Sequence, residues 1–210
     1  MFFTNFCRCR RDHEVFCNIS SQVSRYFLIP LLSGCILASC QSNIADKNAN
    51  KSVKWKEQFQ SQLSEFGHRN WILIVDKAYP SQNSEGVITI DTQEDLLDVL
   101  NYSLKQIDSS THVKPIIYTD KELNYITPQQ VSNINKYRSD LKTTMGSNQP
   151  QVMLHDSVFV NIDKASKLFK VLVLKTNATI PYSSVFLQLD CKYWTAEKEK
   201  QLRETMKEAN

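Results

Sequence analysis

The chain has 210 residues and a formal charge of +3 at neutral pH. Its charges are scattered and form no basic stripe, which argues against nucleic acid as a partner. With four glycines, no low-complexity tract and no period of repeat length, it reads as neither a solenoid nor a disordered protein.

The first apolar stretch runs from Tyr26 to Ala38, with Arg25 before it and Ser39-Cys40 after it. It is shorter than the about 20 apolar residues of a membrane span and fits the apolar core of an export signal. Its ending, Leu37-Ala38-Ser39-Cys40, resembles a bacterial lipoprotein signal, which implies cleavage before Cys40 and acylation of that thiol. Residues 1–40 are therefore expected to be an export signal, and the protein to sit in the bacterial cell envelope on a lipid anchor. The residues upstream of the apolar stretch carry Cys7, Cys9, His13 and Cys17, without the paired spacing of a structural zinc site. They are expected to be discarded with the signal or to precede the true start. Residues 41–52, polar and rich in Asn and Lys, predict a flexible tether, and 53–210 the folded domain.

Val53, Trp55, Phe59, Leu63 and Phe66 recur at near-helical spacing and predict an amphipathic helix. The continuous apolar run Trp71 to Val75 predicts a strand covered on both faces. Gly86 to Ile90 predicts a second strand, and Asp91-Thr92 the cap of a helix through about Gln106. Val113 to Tyr118 predicts a strand, and Thr127-Pro128 opens a predicted helix over Pro128 to Leu141. Further strands are predicted at Val152 to His155, Phe169 to Leu174 and Tyr182 to Leu189, with a helical Asp163 to Leu168 between the first two. Thr195 to Glu208 reads as a charged surface helix, and Cys191 as an apolar filler. This alternation favours an α/β fold, a three-layer αβα sandwich with a mostly parallel sheet.

Chemistry-bearing residues gather at the ends of the first strand. His68 precedes it and Asp76 follows it, where open α/β sheets place ligand groups. From the residues alone, a His beside Gly67 equally suits a turn, and an Asp after a strand equally suits a cap.

The segment Phe66-Gly67-His68, the apolar strand, Asp76 and then Pro80 resembles the N-terminal signature of the RbsD/FucU family of monosaccharide pyranases and mutarotases. The later run Val171 to Leu187, with Lys175-Thr176-Asn177-Ala178 and Pro181-Tyr182-Ser183-Ser184, is similar to that family's closing motif. The resemblance spans about Val53 to Trp194. It implies a free ribose- or fucose-like sugar as partner, no cofactor and no metal, and a homo-oligomer in which a neighbour's closing motif completes the site. It further implies His68 as the catalytic acid/base, with Asp76, His155, Tyr182 and Ser184 binding the sugar. Departures are confined to the closing motif: Lys175, Asn177 and Ala178 replace Arg, Gly and Glu, and Ser184 replaces Asn. A carboxylate and an amide are thereby lost. Alongside a ring-isomerising enzyme, two other readings remain: a non-catalytic sugar-binding protein and a structural envelope lipoprotein on the same scaffold.

Overall fold

The computed structural model describes residues 42–208. The expected export signal and Cys40 lie outside the described residues. Among the described residues, no helix is long and apolar enough to cross a membrane.

Six strands form one sheet in the order β2-β5-β1-β6-β3-β4, with β1 at Trp71–Val75, β2 at Val87–Asp91, β3 at Val113–Asp120, β4 at Gln151–Met153, β5 at Val171–Lys175 and β6 at Val185–Cys191. β2, β5 and β1 pair in parallel, as do β3 and β4, whereas β6 runs antiparallel to both β1 and β3. Helices cover both faces, so the fold is the expected α/β sandwich with a mostly parallel sheet.

The alternation of strand side chains divides the core in two. Ile72, Ile74, Leu172, Leu174, Val185 and Leu187 face helices α1 (Ser42–Glu65), α2 (Leu96–Ser109) and α3 (Ile134–Met145). Trp71, Leu73, Val75, Val173 and Phe186 face helix α4 (His155–Ser166) through Val158 and Ile162. Both sets are buried, which is why the first strand reads as a continuous apolar run rather than an alternating one. α1 is anchored by Trp55 and Phe59, both fully buried, whose rings meet Tyr102 of α2 edge-on at 5.0 and 5.8 Å. Trp55 Nε1 donates to Glu94 Oε1 at 3.0 Å, so the indole is satisfied as well as packed.

Several boundaries differ from the expected ones, each for a local reason. α1 has helical backbone from Ser42, within the stretch expected to be a tether. Asp91 is the last residue of β2, opposite Lys175, and the cap of α2 is Asp95, whose carboxylate accepts from Leu97 N at 2.9 Å. Thr127 and Gln130 close a single turn on each other, with Gln130 Oε1 accepting from Thr127 N at 2.9 Å, and the helix proper starts only at Ile134. His155 is not a strand residue: β4 ends at Met153, and His155 is the first residue of α4. Tyr182 likewise precedes its strand, in a turn, with φ +56°. The charged tail is helix α5 (Ala196–Glu208), which buries no residue.

Gly86 enters β2 against the end of α4, and a Cβ there would run into the carbonyl oxygen of Ser166 and lie 3.2 Å from that of Phe169. Both obstacles are backbone, so they yield only if the strand or the helix end moves. Gly86→Ala is expected to lower unfolding free energy by about 1–3 kcal/mol, read from urea denaturation.

Candidate functional site

All the parallel strands end at one edge of the sheet, and the antiparallel β6 begins there. That edge collects Asp76 after β1, Asp120 at the end of β3, His155 after β4, and the turn Tyr182-Ser183-Ser184 before β6. It is the position where open α/β sheets bind ligands.

Ser184 and Asp76 are directly joined. Ser184 Oγ donates to Asp76 Oδ2 at 3.0 Å and accepts from Asp76 N at 3.3 Å. The other carboxylate oxygen accepts from Ala78 N at 2.8 Å, which fixes the Asp76 side chain in a tight turn. Ser184 is buried and Asp76 is half-buried.

His155 is held by two acids that sequence reasoning did not select. Its ring Nδ1 lies 2.8 Å from Oδ2 of Asp120, which is completely buried. Its backbone N–H lies 3.1 and 3.2 Å from the two carboxylate oxygens of Glu122. Glu122 thereby serves as the cap that Leu154, the N-cap residue, has no side chain to provide. With Nδ1 engaged by Asp120, Nε2 is the ring nitrogen that no described residue bonds. The imidazole is thus oriented and set in one tautomer by a buried carboxylate, as in the dyads of acid/base catalysts. Phe159 lies against the ring at 4.6 Å between centroids, and Tyr182 meets it edge-on at 5.2 Å. The left-handed backbone at Tyr182 turns that half-exposed ring toward His155.

Asp120 was legible as the residue closing a strand of the parallel set, the same signal that marks Asp76. Its Oδ1 is buried without a hydrogen-bond partner. Burial pushes its carboxyl up to about 6, against the pull of His155 and with help from the charges of Glu122 and Asp76. On the α2 and α3 side of the same edge lies a cavity of about 450 Å³ lined by Asn177, Ala178, Thr179 and Ile180 together with Tyr137 and Lys136. Tyr137 donates its hydroxyl proton to Ser183 O at 2.9 Å, tying α3 to the turn.

His68 stands apart. The sheet brings Asp76, His155, Tyr182 and Ser184 to one edge and leaves His68 at the other, across the length of β1, roughly 17 Å for five residues at about 3.3 Å each. Within a single chain the His68 imidazole and the Asp76 carboxylate therefore lie at opposite ends of the sheet. His68 is exposed; its Nδ1 lies 3.3 Å from Asp190 Oδ1, and Arg69 Nε donates to its Nε2 at 3.0 Å. Burial alone would push the Asp190 carboxyl up, but the Cys191 backbone N–H, His68 and Lys114 outweigh it and hold it below the ordinary carboxylate range. His112 is taken up by the fold, with Nε2 at 3.0 Å from Phe66 O.

No family model and no curated protein matches this sequence. Solved structures show similarity to it over part of the chain. Bacillus subtilis RbsD complexed with D-ribose is 16% identical, with a TM-score of 0.44 over 62% of this chain and 89% of its own. FucU from Bifidobacterium longum is 15% identical, with a TM-score of 0.42 over 63% and 92%. The fucose mutarotase of Streptococcus pneumoniae, in complex with L-fucose, is 18% identical, with a TM-score of 0.42 over 61% and 87%.

Because Asp120 has a folded pKa of about 6 against 3.8 for its ordinary value, the native state holds a proton that the unfolded chain has released between those pH values. The unfolded state then binds fewer protons, so stability falls as pH rises through that window. Urea midpoints measured from pH 4 to pH 7 are expected to decline with this slope, and Asp120→Asn to remove that component.

Proposed function

We propose that this domain binds a free monosaccharide at the edge formed by Asp76, Asp120, His155, Tyr182 and Ser184, and interconverts its ring forms or anomers. The observation that carries the reading is the His155 imidazole, oriented by buried Asp120 and faced by the half-exposed Tyr182. Ring opening requires a base to take the anomeric hydroxyl proton as the bond from C1 to the ring oxygen breaks, and an acid to protonate that ring oxygen. Reclosure on either face of the resulting aldehyde reverses both transfers. His155 Nε2 supplies one of these groups, with each positioned acid or base worth about 10²–10⁴-fold. The Asp76 carboxylate and the Ser184 hydroxyl accept and donate to sugar hydroxyls, while the Tyr182 ring offers an apolar face.

The complementary group in this reading is His68 of a neighbouring copy. Its distance from the other residues within one chain supports an assembled site, consistent with the oligomer implied by the sequence motifs. The domain would then act in the bacterial envelope, held by a lipid on Cys40. Labelled fatty acid incorporated in an expressing bacterium and absent in Cys40→Ser tests that placement; label retained in the variant refutes it.

One observation favours a second reading, sugar binding without catalysis. The turn carries Ala178 and Ser184 where the resembling motif has Glu and Asn, so fewer groups are available to stabilise the open form. Saturation-transfer NMR on ribose and fucose solutions separates the two. Enzymatic exchange is expected to exceed the uncatalysed rate and to fall at least about 10²-fold in His155→Ala and in His68→Ala. Ligand binding without faster exchange establishes the binding protein, and no binding of either sugar refutes both readings. Light scattering tests the shared site: a monomer in which His68→Ala leaves exchange unchanged removes His68 from the mechanism.

A further inference from the structure

The edge of the sheet opposite the candidate site contains a cavity of about 400 Å³ whose lining, His68 apart, has no role in the proposed ring exchange. Its apolar wall is made by Trp71 and Phe169, and its polar rim by Arg69, Asn161, Lys164 and Gln188, with His68 and Asp190 at one end.

The hydrogen-bonding inventory of this rim is one-sided. Arg69 uses Nε on His68, leaving both terminal guanidinium nitrogens without a partner among the described residues. The Gln188 carbonyl accepts from Tyr118 at 3.1 Å, so its amide nitrogen is the group left over. The Lys164 ammonium and the Asn161 amide also have no partner among the described residues. Asp190, the carboxylate in the lining, is already engaged by His68 through one oxygen and by Lys114 through the other, at 3.3 and 3.5 Å. Even with the Asn161 carbonyl oxygen as an acceptor, a ligand here meets donors in excess and needs acceptors of its own.

Charge points the same way. Nε2 of His68 accepts from Arg69 and Nδ1 faces Asp190. The lining holds two cations, Arg69 and Lys164, and one carboxylate, Asp190, which Lys114 also pairs from outside it. The surplus of cations favours an anion over a neutral ligand. The guanidinium of Arg69 is also held at one end, through its Nε bond to His68. Its backbone is left-handed at φ +75°, and the group lies 5.8 Å from the centre of the Phe169 ring, which leaves its planar fork to meet a planar acceptor. A volume of about 400 Å³ falls in the range of small-molecule sites and accommodates one sugar ring.

We propose that this cavity is a second ligand site, one that takes a monosaccharide-sized monocarboxylate such as a uronic acid. The carboxylate lies against the Arg69 fork and Lys164, the amides of Asn161 and Gln188 donate to hydroxyl oxygens, and the Trp71 and Phe169 wall takes the apolar face of the ring.

The proposed contacts use neither Asp76 nor His155, and the group they neighbour that also enters the proposed ring exchange is His68, which Arg69 binds. Calorimetric titration of the protein with D-glucuronate, D-glucose and D-glucose 6-phosphate at low salt tests it. Glucuronate is expected to bind at least about tenfold more tightly than glucose, the difference a charge-assisted bond supplies. Arg69→Gln and Lys164→Gln are each expected to weaken glucuronate about tenfold. Lys164 is exposed on α4, so its variant keeps the test valid if the change at Arg69 disturbs the turn. His155→Ala, which removes the proposed acid/base at the far edge, is expected to leave glucuronate affinity unchanged. Equal affinity for glucose, tighter binding of the phosphate, or glucuronate affinity that survives Lys164→Gln overturns the assignment. Loss of glucuronate binding in His155→Ala would place the ligand at the other edge and overturn it too.

Discussion

The antiparallel insertion of β6 between β1 and β3 is the constraint on which the rest of this molecule depends. Its ladder joins the half of the sheet made by β2, β5 and β1 to the half made by β3 and β4. Val185, Phe186 and Leu187 are completely buried at the junction of the two core layers, so shifting the strand by one residue would exchange every side chain between them. Reversal of direction also decides what reaches each edge. Only a strand that begins where the parallel ones end can bring Ser184 onto Asp76, and the same strand then delivers Asp190 to His68. The two clusters of polar chemistry are thus the two ends of one central strand.

The candidate site is rigid for a related reason. Its groups sit on strand ends and a helix start rather than on long loops, and each is held by a neighbour in sequence or by a buried partner. His155 is fixed twice, by Glu122 at its backbone and Asp120 at its ring, and both acids come from β3 and the 3-10 turn Lys121–Tyr125 that continues it. One segment therefore caps a helix and sets a tautomer. Burying Asp120 without a partner for Oδ1 costs stability, and this cost accompanies the ordering of the imidazole.

Much of this arrangement was legible in the chain. The apolar runs marked the central strands, and the position after a strand marked Asp76. His155, Tyr182 and Ser184 came from motif resemblance, and they do converge with Asp76 on one edge. What escaped was three-dimensional pairing. Asp120 follows the same strand-end rule as Asp76, but nothing local ties it to an imidazole 35 residues later. His155 was placed in a strand because Val152, Met153 and Leu154 precede it, yet the capping acid is Glu122, far away in sequence. Thr127-Pro128 carries a genuine start signal, but it starts only one turn, and the helix proper begins at Ile134. Strand length alone separates His68 from Asp76, since a covered strand of five residues necessarily has two distant ends.

Tyr182 carries one more implication through its left-handed backbone. An aromatic residue seldom adopts that conformation in a free chain, so a peptide covering the turn would spread its ring over other directions. In the folded domain the unfavourable torsion is imposed by Tyr137 binding the next carbonyl and by the burial of Ser183 and Ser184. Ring orientation is then settled before any ligand arrives. Entropy that a mobile loop would surrender on each encounter is surrendered once, when the chain folds, and association at this edge can proceed without a conformational rearrangement of the aromatic wall.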